Sequence, residues 1–193
     1  SVFNLTEEDK NKSKQYQENS KRKESFNQFS DLDNYIKSLN INIEFQYVNE
    51  FNIERLAQMT QKTNQFNLTT NRYLISDLND LKLNKSIIIC ASVSDKFGDS
   101  GITGLLIFKY LNSKELEINN FLLSCRVLGK EIESTFLNFA LNLAREKGFE
   151  KIFAKFIPTS KNQQVENFFE KNDFRVIKTL DNGSKLYSKS LKN

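Results

Sequence analysis

Apolar residues recur along this chain with two periods, and the switches between them mark its elements. Residues 6–23 are almost wholly polar after Thr6-Glu7-Glu8-Asp9, a helix-start pattern, and predict a solvated helix or linker. Ser30 then precedes Asp31, Leu32, Tyr35, Ile36 and Leu39, which form one helical face, and Ile41, Ile43, Phe45 and Tyr47 alternate as a half-buried strand. Asn52 can cap a helix over Ile53, Leu56, Ala57 and Thr60, and the polar block from Gln61 to Thr70 predicts a loop. Ser76 can cap a short helix near Leu78 to Leu83, and the continuous apolar run from Ser86 to Val93 predicts a central strand.

Further on, Asp95 to Gly101 reads as a turn, Ile102 to Tyr110 as a strand, Leu111 to Lys114 as a hairpin connection and Leu116 to Cys125 as its returning strand. Ile132, Phe136, Phe139, Ala140, Leu143 and Ala144 keep helical spacing until Gly148. Ile152 to Ile157 is the next strand, closed by Pro158, and Val165, Phe168 and Phe169 stripe a helix over about Asn162 to Lys171. Two last strands, Phe174 to Thr179 and Lys185 to Ser188, meet across Asp181-Asn182-Gly183. Neither repeats nor low-complexity tracts interrupt this order.

Composition narrows the function more than the fold. At 193 residues with 38% hydrophobic residues and 17 Phe, the chain can bury one real core. The formal charge of +4 suits acidic partners such as phosphorylated metabolites, coenzyme A or an acidic carrier protein, but the Lys residues are dispersed among Asp and Glu, a weak nucleic-acid signal. No apolar run nears the roughly 18 residues a membrane span needs, and the polar start lacks a signal-peptide core, so the expected location is the cytoplasm. Cys90 and Cys125 both lie in apolar strand-like runs and read as free thiols. The absence of His excludes a Cys-His or Ser-His pair and removes the commonest zinc ligand, so no metal site is expected.

Four places carry candidate chemistry. Cys125-Arg126-Val127-Leu128-Gly129-Lys130-Glu131 joins a strand end to a helix N-terminus, where unpaired N–H groups, the helix dipole and a nearby cation favour a phosphate. The same residues also suit a simple strand-to-helix turn. Gln61, Lys62, Asn64, Gln65 and Asn67 can contact a hydroxylated or phosphorylated substrate, or can satisfy their own loop backbone. Asp95 and Asp99 can orient a substrate hydroxyl or act as a general base, or can stabilise the turn. Asn162 opens the last helix, a role that a capped amphipathic helix explains equally.

The element order, strand, two helices, three strands, helix, strand, helix and two strands, resembles that of GNAT-type N-acetyltransferases. The resemblance implies an α/β fold of the α+β kind, a mixed and mostly antiparallel sheet flanked by helices. Arg126 and Gly129 resemble the GNAT pyrophosphate loop, while Glu131 departs from its small residue and counts against ordinary coenzyme A binding. Asn162 with Val165, Phe168, Phe169, Glu170, Lys171 and Phe174 resembles the last GNAT segment.

Three longer blocks, Arg55 to Thr70, Ser94 to Gly101 and Phe121 to Gly129, resemble the C-terminal domain of FkbH-like proteins, a likeness running from about Leu5 to Phe174. It implies an acyltransferase domain over 30–193 and a polar helical linker over 1–29, following a haloacid-dehalogenase-like (HAD) phosphatase domain absent from this chain. In that family the HAD domain handles the phosphates of 1,3-bisphosphoglycerate. A glyceryl thioester forms on the enzyme and passes to the phosphopantetheine arm of an acyl carrier protein in polyketide-type biosynthesis. The resemblance assigns Cys125 as the acyl-bearing nucleophile, and Arg126 with the helix start can favour its thiolate. No cofactor is expected in the chain itself.

Two rival readings remain: an N-acyltransferase using coenzyme A directly, and a non-catalytic module that docks a carrier protein. Asp31-Leu32-Asp33-Asn34 imitates a HAD nucleophile motif. It lacks the preceding apolar strand and has Tyr35 where that motif has Thr, so no phosphatase activity is expected of this chain alone.

Overall fold

A computed structural model of the chain describes residues 13–21, 39–124 and 130–192. They fall into two compact units, Ser1–Glu44 with Ser92–Ile102, and Phe45–Ala91 with Thr103–Asn193. Of the predicted helix from Ser30 to Leu39, residues 30–38 with the Asp31-Leu32-Asp33-Asn34 motif lie outside the described residues, as do Cys125, Arg126 and Gly129, while Leu39 is a buried turn residue.

In the first unit, residues 13–21 are helical, but this segment is not wholly solvated as its polar sequence predicts. Glu18 is buried, and its carboxyl group lies where a Cβ on Gly98 would stand, only 2.1 Å away, so a side chain at position 98 would displace it. Gln15 Nε2 donates to the Ser100 carbonyl at 3.3 Å.

The sheet contains β1 (Asn42–Tyr47), β2 (Phe66–Asn67), β3 (Ile87–Asp95), β4 (Gly98–Asn112), β5 (Glu115–Leu123), β6 (Lys151–Phe156), β7 (Arg175–Thr179) and β8 (Lys185–Ser190). Its order is β1-β3-β4-β5-β6-β8-β7, with β2 attached to β5. The helices are α1 (Ile53–Lys62), α2 (Ile75–Leu83), α3 (Lys130–Glu146) and α4 (Phe168–Lys171), with a 3₁₀ turn at Gln163–Val165 before the last. The result is the expected mixed, mostly antiparallel sheet: β2 and β4 pair antiparallel with β5, and β6 and β7 antiparallel with β8, while β5 and β6 run parallel across the α3 crossover.

The Phe-rich composition becomes a ring cluster in the second unit. Phe121 is fully buried and meets Phe66, Phe136 and Phe168 at centroid distances of 5.5, 5.4 and 5.5 Å. Gly104 lies directly opposite Leu123 and leaves room for Phe136, whose ring would stand 3.0 Å from an added Cβ. This close approach seats α3 on β4 and β5.

Several boundaries differ from the sequence reading. Gln61 and Lys62 end α1 instead of opening the loop, and α2 begins before Ser76, with the Leu74 N–H bonded to the Asp77 carboxylate at 2.8 Å. The expected turn from Asp95 to Gly101 shortens to two residues, because β4 already starts at Gly98. The long last helix breaks into the 3₁₀ turn and the four residues of α4.

Candidate active site

A one-residue irregularity in β5 organises the site. Ile107 of β4 faces Asn120, but the next residue, Phe108, faces Ile118, so Asn119 is an extra residue in its strand. Such a bulge bends the strand and interrupts its pairing. Up to Ile118, β5 pairs with β6 in parallel register, Ile118 opposite Ala154. Beyond the bulge it pairs instead with β2, Phe66 opposite Leu123 and Asn67 opposite Leu122.

The chain fills the resulting split with its own backbone. Leu68 N–H donates to the Phe121 carbonyl at 3.1 Å, and the Leu68 carbonyl accepts from Ile157 N–H at 2.9 Å, so one residue bridges both sides. Thr69 Oγ1 and Asn71 Nδ2 donate to the Asn119 carbonyl at 2.8 and 3.0 Å, and Asn120 Nδ2 donates to the Asn71 carbonyl at 3.0 Å. With each bond worth about 1 kcal/mol net, displacing this segment costs about as much as a millimolar to micromolar ligand gains, about 4–8 kcal/mol.

Within the block read as either substrate contact or self-satisfied loop, Asn67 follows the second description. It is fully buried; its Nδ2 donates to the Thr63 carbonyl at 3.1 Å, and its Oδ1 accepts from Thr70 N–H at 2.9 Å. Asn162 is also fully buried. Its Oδ1 accepts from Thr159 N–H at 2.7 Å, while Nδ2 donates to the Asn67 and Ile157 carbonyls, each at 2.9 Å. Asn67 and Asn162 are thus brought together as a clasp on the filled split.

The other block residues lie nearer the surface. Gln61 Nε2 donates to the Tyr73 carbonyl at 3.0 Å, Asn64 Nδ2 to the Lys62 carbonyl at 3.4 Å, and Asn64 Oδ1 accepts from the Arg72 guanidinium. Lys62 is exposed and Gln65 half-buried. In the first unit, Asp95 Oδ1 accepts from Phe97 N–H at 2.9 Å and Gly98 N–H at 3.2 Å, and Asp99 Oδ1 accepts from Gly101 N–H at 2.7 Å. Asp95 thus holds the two-residue turn, and Asp99 holds the backbone near the start of β4, where Gly101 has a φ of 67°.

A polar group not singled out from the sequence surrounds the bulge. Asn119 Nδ2 donates to the Tyr73 hydroxyl and, at 3.0 Å, to Asn120 Oδ1, while Lys155 Nζ lies 3.4 Å from Glu117 Oε1. Burial pushes the Tyr73 phenol above its ordinary pKa; the Asn119 bond opposes this, and the Asp77 and Glu117 carboxylates add to it. The sequence signal is the pair Asn119-Asn120 between Ile118 and Phe121, two adjacent polar residues that break the alternation of Glu115, Leu116, Glu117 and Ile118.

Cys90 is 1% exposed, a free thiol contacted by Asn52 Nδ2 at 3.6 Å. Burial pushes its pKa up to about 11. Only the thiolate is a good nucleophile, so native protein at pH 8 is expected to leave Cys90 unlabelled by iodoacetamide and to label it after unfolding. Peptide mass mapping reads this directly, and rapid native labelling of Cys90 would contradict its placement. Because burial raises the folded pKa from the ordinary 9.0 to about 11, the stability contribution of the neutral thiol is intact below about pH 9 and lost by about pH 11.

At its far end, β5 stops at Leu123, and Ser124 N–H bonds to the Thr103 carbonyl at 2.7 Å. The 17-residue α3 begins at Lys130, so the segment carrying Cys125, Arg126 and Gly129 joins these two elements. Among the described residues there is no group of three or more potential metal ligands, and no helix is long and apolar enough to cross a membrane.

No protein-family model and no curated protein matches the sequence. Solved structures do. A domain from Methanocaldococcus jannaschii has 15% identity and a TM-score of 0.60, covering 78% of this chain and 99% of that one. The GNAT domain of S. lividans PAT has 13% identity and a TM-score of 0.59, with coverages of 77% and 90%. The yncA structure from Salmonella typhimurium, solved with its cofactor acetyl-CoA, has 13% identity and a TM-score of 0.56, with coverages of 79% and 95%. At these identities the likeness shows the fold.

Proposed function

On the premise that this chain carries a GNAT-type fold, we propose that it is an acyltransferase domain. It receives a glyceryl unit as a thioester on Cys125 and delivers it to the phosphopantetheine thiol of an acyl carrier protein. The observation that carries this reading is the junction of β5 with α3. A sheet strand feeds the start of a long helix through the segment bearing Cys125 and Arg126. The first N–H groups of a helix have no partners within it, and its dipole favours negative charge, so that segment suits a thiolate and the oxyanion of a tetrahedral intermediate.

In loading, the Cys125 sulfur attacks the glyceryl carbonyl of 1,3-bisphosphoglycerate and the acyl phosphate leaves as inorganic phosphate. Removal of the remaining phosphate belongs to the HAD phosphatase partner. In delivery, the carrier thiol attacks the enzyme thioester and the Cys125 thiolate leaves, so one thioester replaces another. The chain has no His to act as base, which suits a thiol, the nucleophile that depends least on one. The FkbH-like blocks supply the glyceryl unit, the HAD partner and the polyketide-type setting. The neighbour solved with acetyl-CoA supports pantetheine thioester chemistry in general.

The delivery step is tested by incubating the chain with an active HAD partner, 1,3-bisphosphoglycerate and a carrier protein in its phosphopantetheinylated or unmodified form. Intact-mass analysis is expected to find glyceryl on the phosphopantetheinylated carrier alone. Carrier binding without acylation, with the HAD partner active and a known relative transferring in parallel, would make the chain a docking module.

A further inference from the structure

Where a parallel strand pair opens, the exposed N–H and C=O groups can take up an extended, amide-bearing arm as an added strand. Pantetheine is such an arm, with two amides in an extended chain. The split between β5 and β6 has the form of this site, but its groups are already used. Phe66 and Asn67 pair with Leu123 and Leu122, and Leu68 occupies both the Phe121 carbonyl and the Ile157 amide. Asn162 and Asn119 fasten the inserted chain from either side.

We infer that residues 66–71 are a built-in strand occupying the place of a pantetheine arm, and that this makes them a specificity determinant. Free coenzyme A, which depends on its own arm for retention, is not held, whereas a carrier protein brings its thiol to the end of β5 by protein–protein contact. The acceptor class is therefore a carrier-borne thiol. This rests on the acyl-transfer reading for its importance, but its test needs no acyl group, so failed loading at Cys125 and failed exclusion of coenzyme A are separate results.

The probe is coenzyme A alone, titrated to millimolar concentration into the ¹⁵N-labelled chain, with the backbone amides of Leu68, Phe121, Leu122, Leu123 and Ile157 followed by NMR. Wild-type protein is expected to show no saturable shifts at these amides. A Thr69→Val, Asn71→Ala double variant removes two bonds to the Asn119 carbonyl, with Val keeping the shape of the buried Thr69 side chain. It is expected to expose the Leu68 amide to hydrogen exchange and to bind coenzyme A at least about tenfold more tightly, a gain of about 1.4 kcal/mol. Saturable binding by the wild type with shifts at these amides would overturn the inference. So would unchanged affinity in the variant once its Leu68 amide exchanges freely.

Discussion

Asn162→Ala lowers the melting temperature by about 6–12 °C, the expected consequence of losing about 3 kcal/mol in a chain of this size. The side chain is fully buried and makes three hydrogen bonds, accepting from Thr159 N–H and donating to the Asn67 and Ile157 carbonyls. Alanine removes all three and leaves buried backbone groups unpaired, which costs more than the bonds contribute. Asn162→Asp is the informative companion. It keeps the acceptor for Thr159 but turns a carboxylate oxygen toward two carbonyls, so it should be at least as damaging near neutral pH. Differential scanning calorimetry of both variants measures the effect. A drop below about 2 °C for Asn162→Ala, with transfer to the carrier impaired, would instead make Asn162 a substrate contact.

This clasp also shows where the sequence was legible and where it was not. Strands with a burial pattern announce themselves: β1 alternates between half-buried Ile43 and Phe45 and exposed neighbours, and the apolar run through Cys90 is an interior strand, second from the β1 edge instead of central. The helical period of Ile132, Phe136, Phe139, Ala140, Leu143 and Ala144 is likewise local information; Ile132, Phe136, Ala140 and Ala144 are buried in α3 together with Leu137 and Leu141, whereas Leu143 is half-buried and Phe139 exposed. By contrast, β2 is two residues long and has no signal of its own. Its strand geometry comes from Leu122, Leu123 and Ile157, distant in sequence, so residues 66–68 read as loop until those partners are known.

The candidate residues divide along the same line. Side chains such as Asn67, Asn162, Asp95 and Asp99 carry the same amides and carboxylates whether they meet a substrate or their own backbone, and composition cannot distinguish the two. Burial and bond partners can, and they commit Asn67 and Asn162 to the backbone. The bulge at Asn119 had a readable trace in its two adjacent amides, but its effect, changing the neighbour of β5 from β6 to β2, depends on pairing geometry that no single strand encodes. The short last helix was overextended because the stripe of Val165, Phe168 and Phe169 continues across a break at Glu166 and Asn167.

The second large effect is total loss of loading in Cys125→Ala, and it tests the account at its centre. Cys90, the other thiol, is buried and held neutral by a pKa of about 11, so it offers no substitute nucleophile. Cys125→Ser is expected to fail as well on the same time scale, because a hydroxyl needs a general base and the chain contains no His. The measurement is the intact mass of the chain after incubation with an active HAD partner and 1,3-bisphosphoglycerate, wild type beside Cys125→Ala. A glyceryl-sized, thiol-labile adduct is expected on the wild type and none on the variant. An unmodified wild-type chain, with the partner demonstrably active and a known relative labelled in parallel, or an adduct that persists in Cys125→Ala, would contradict it.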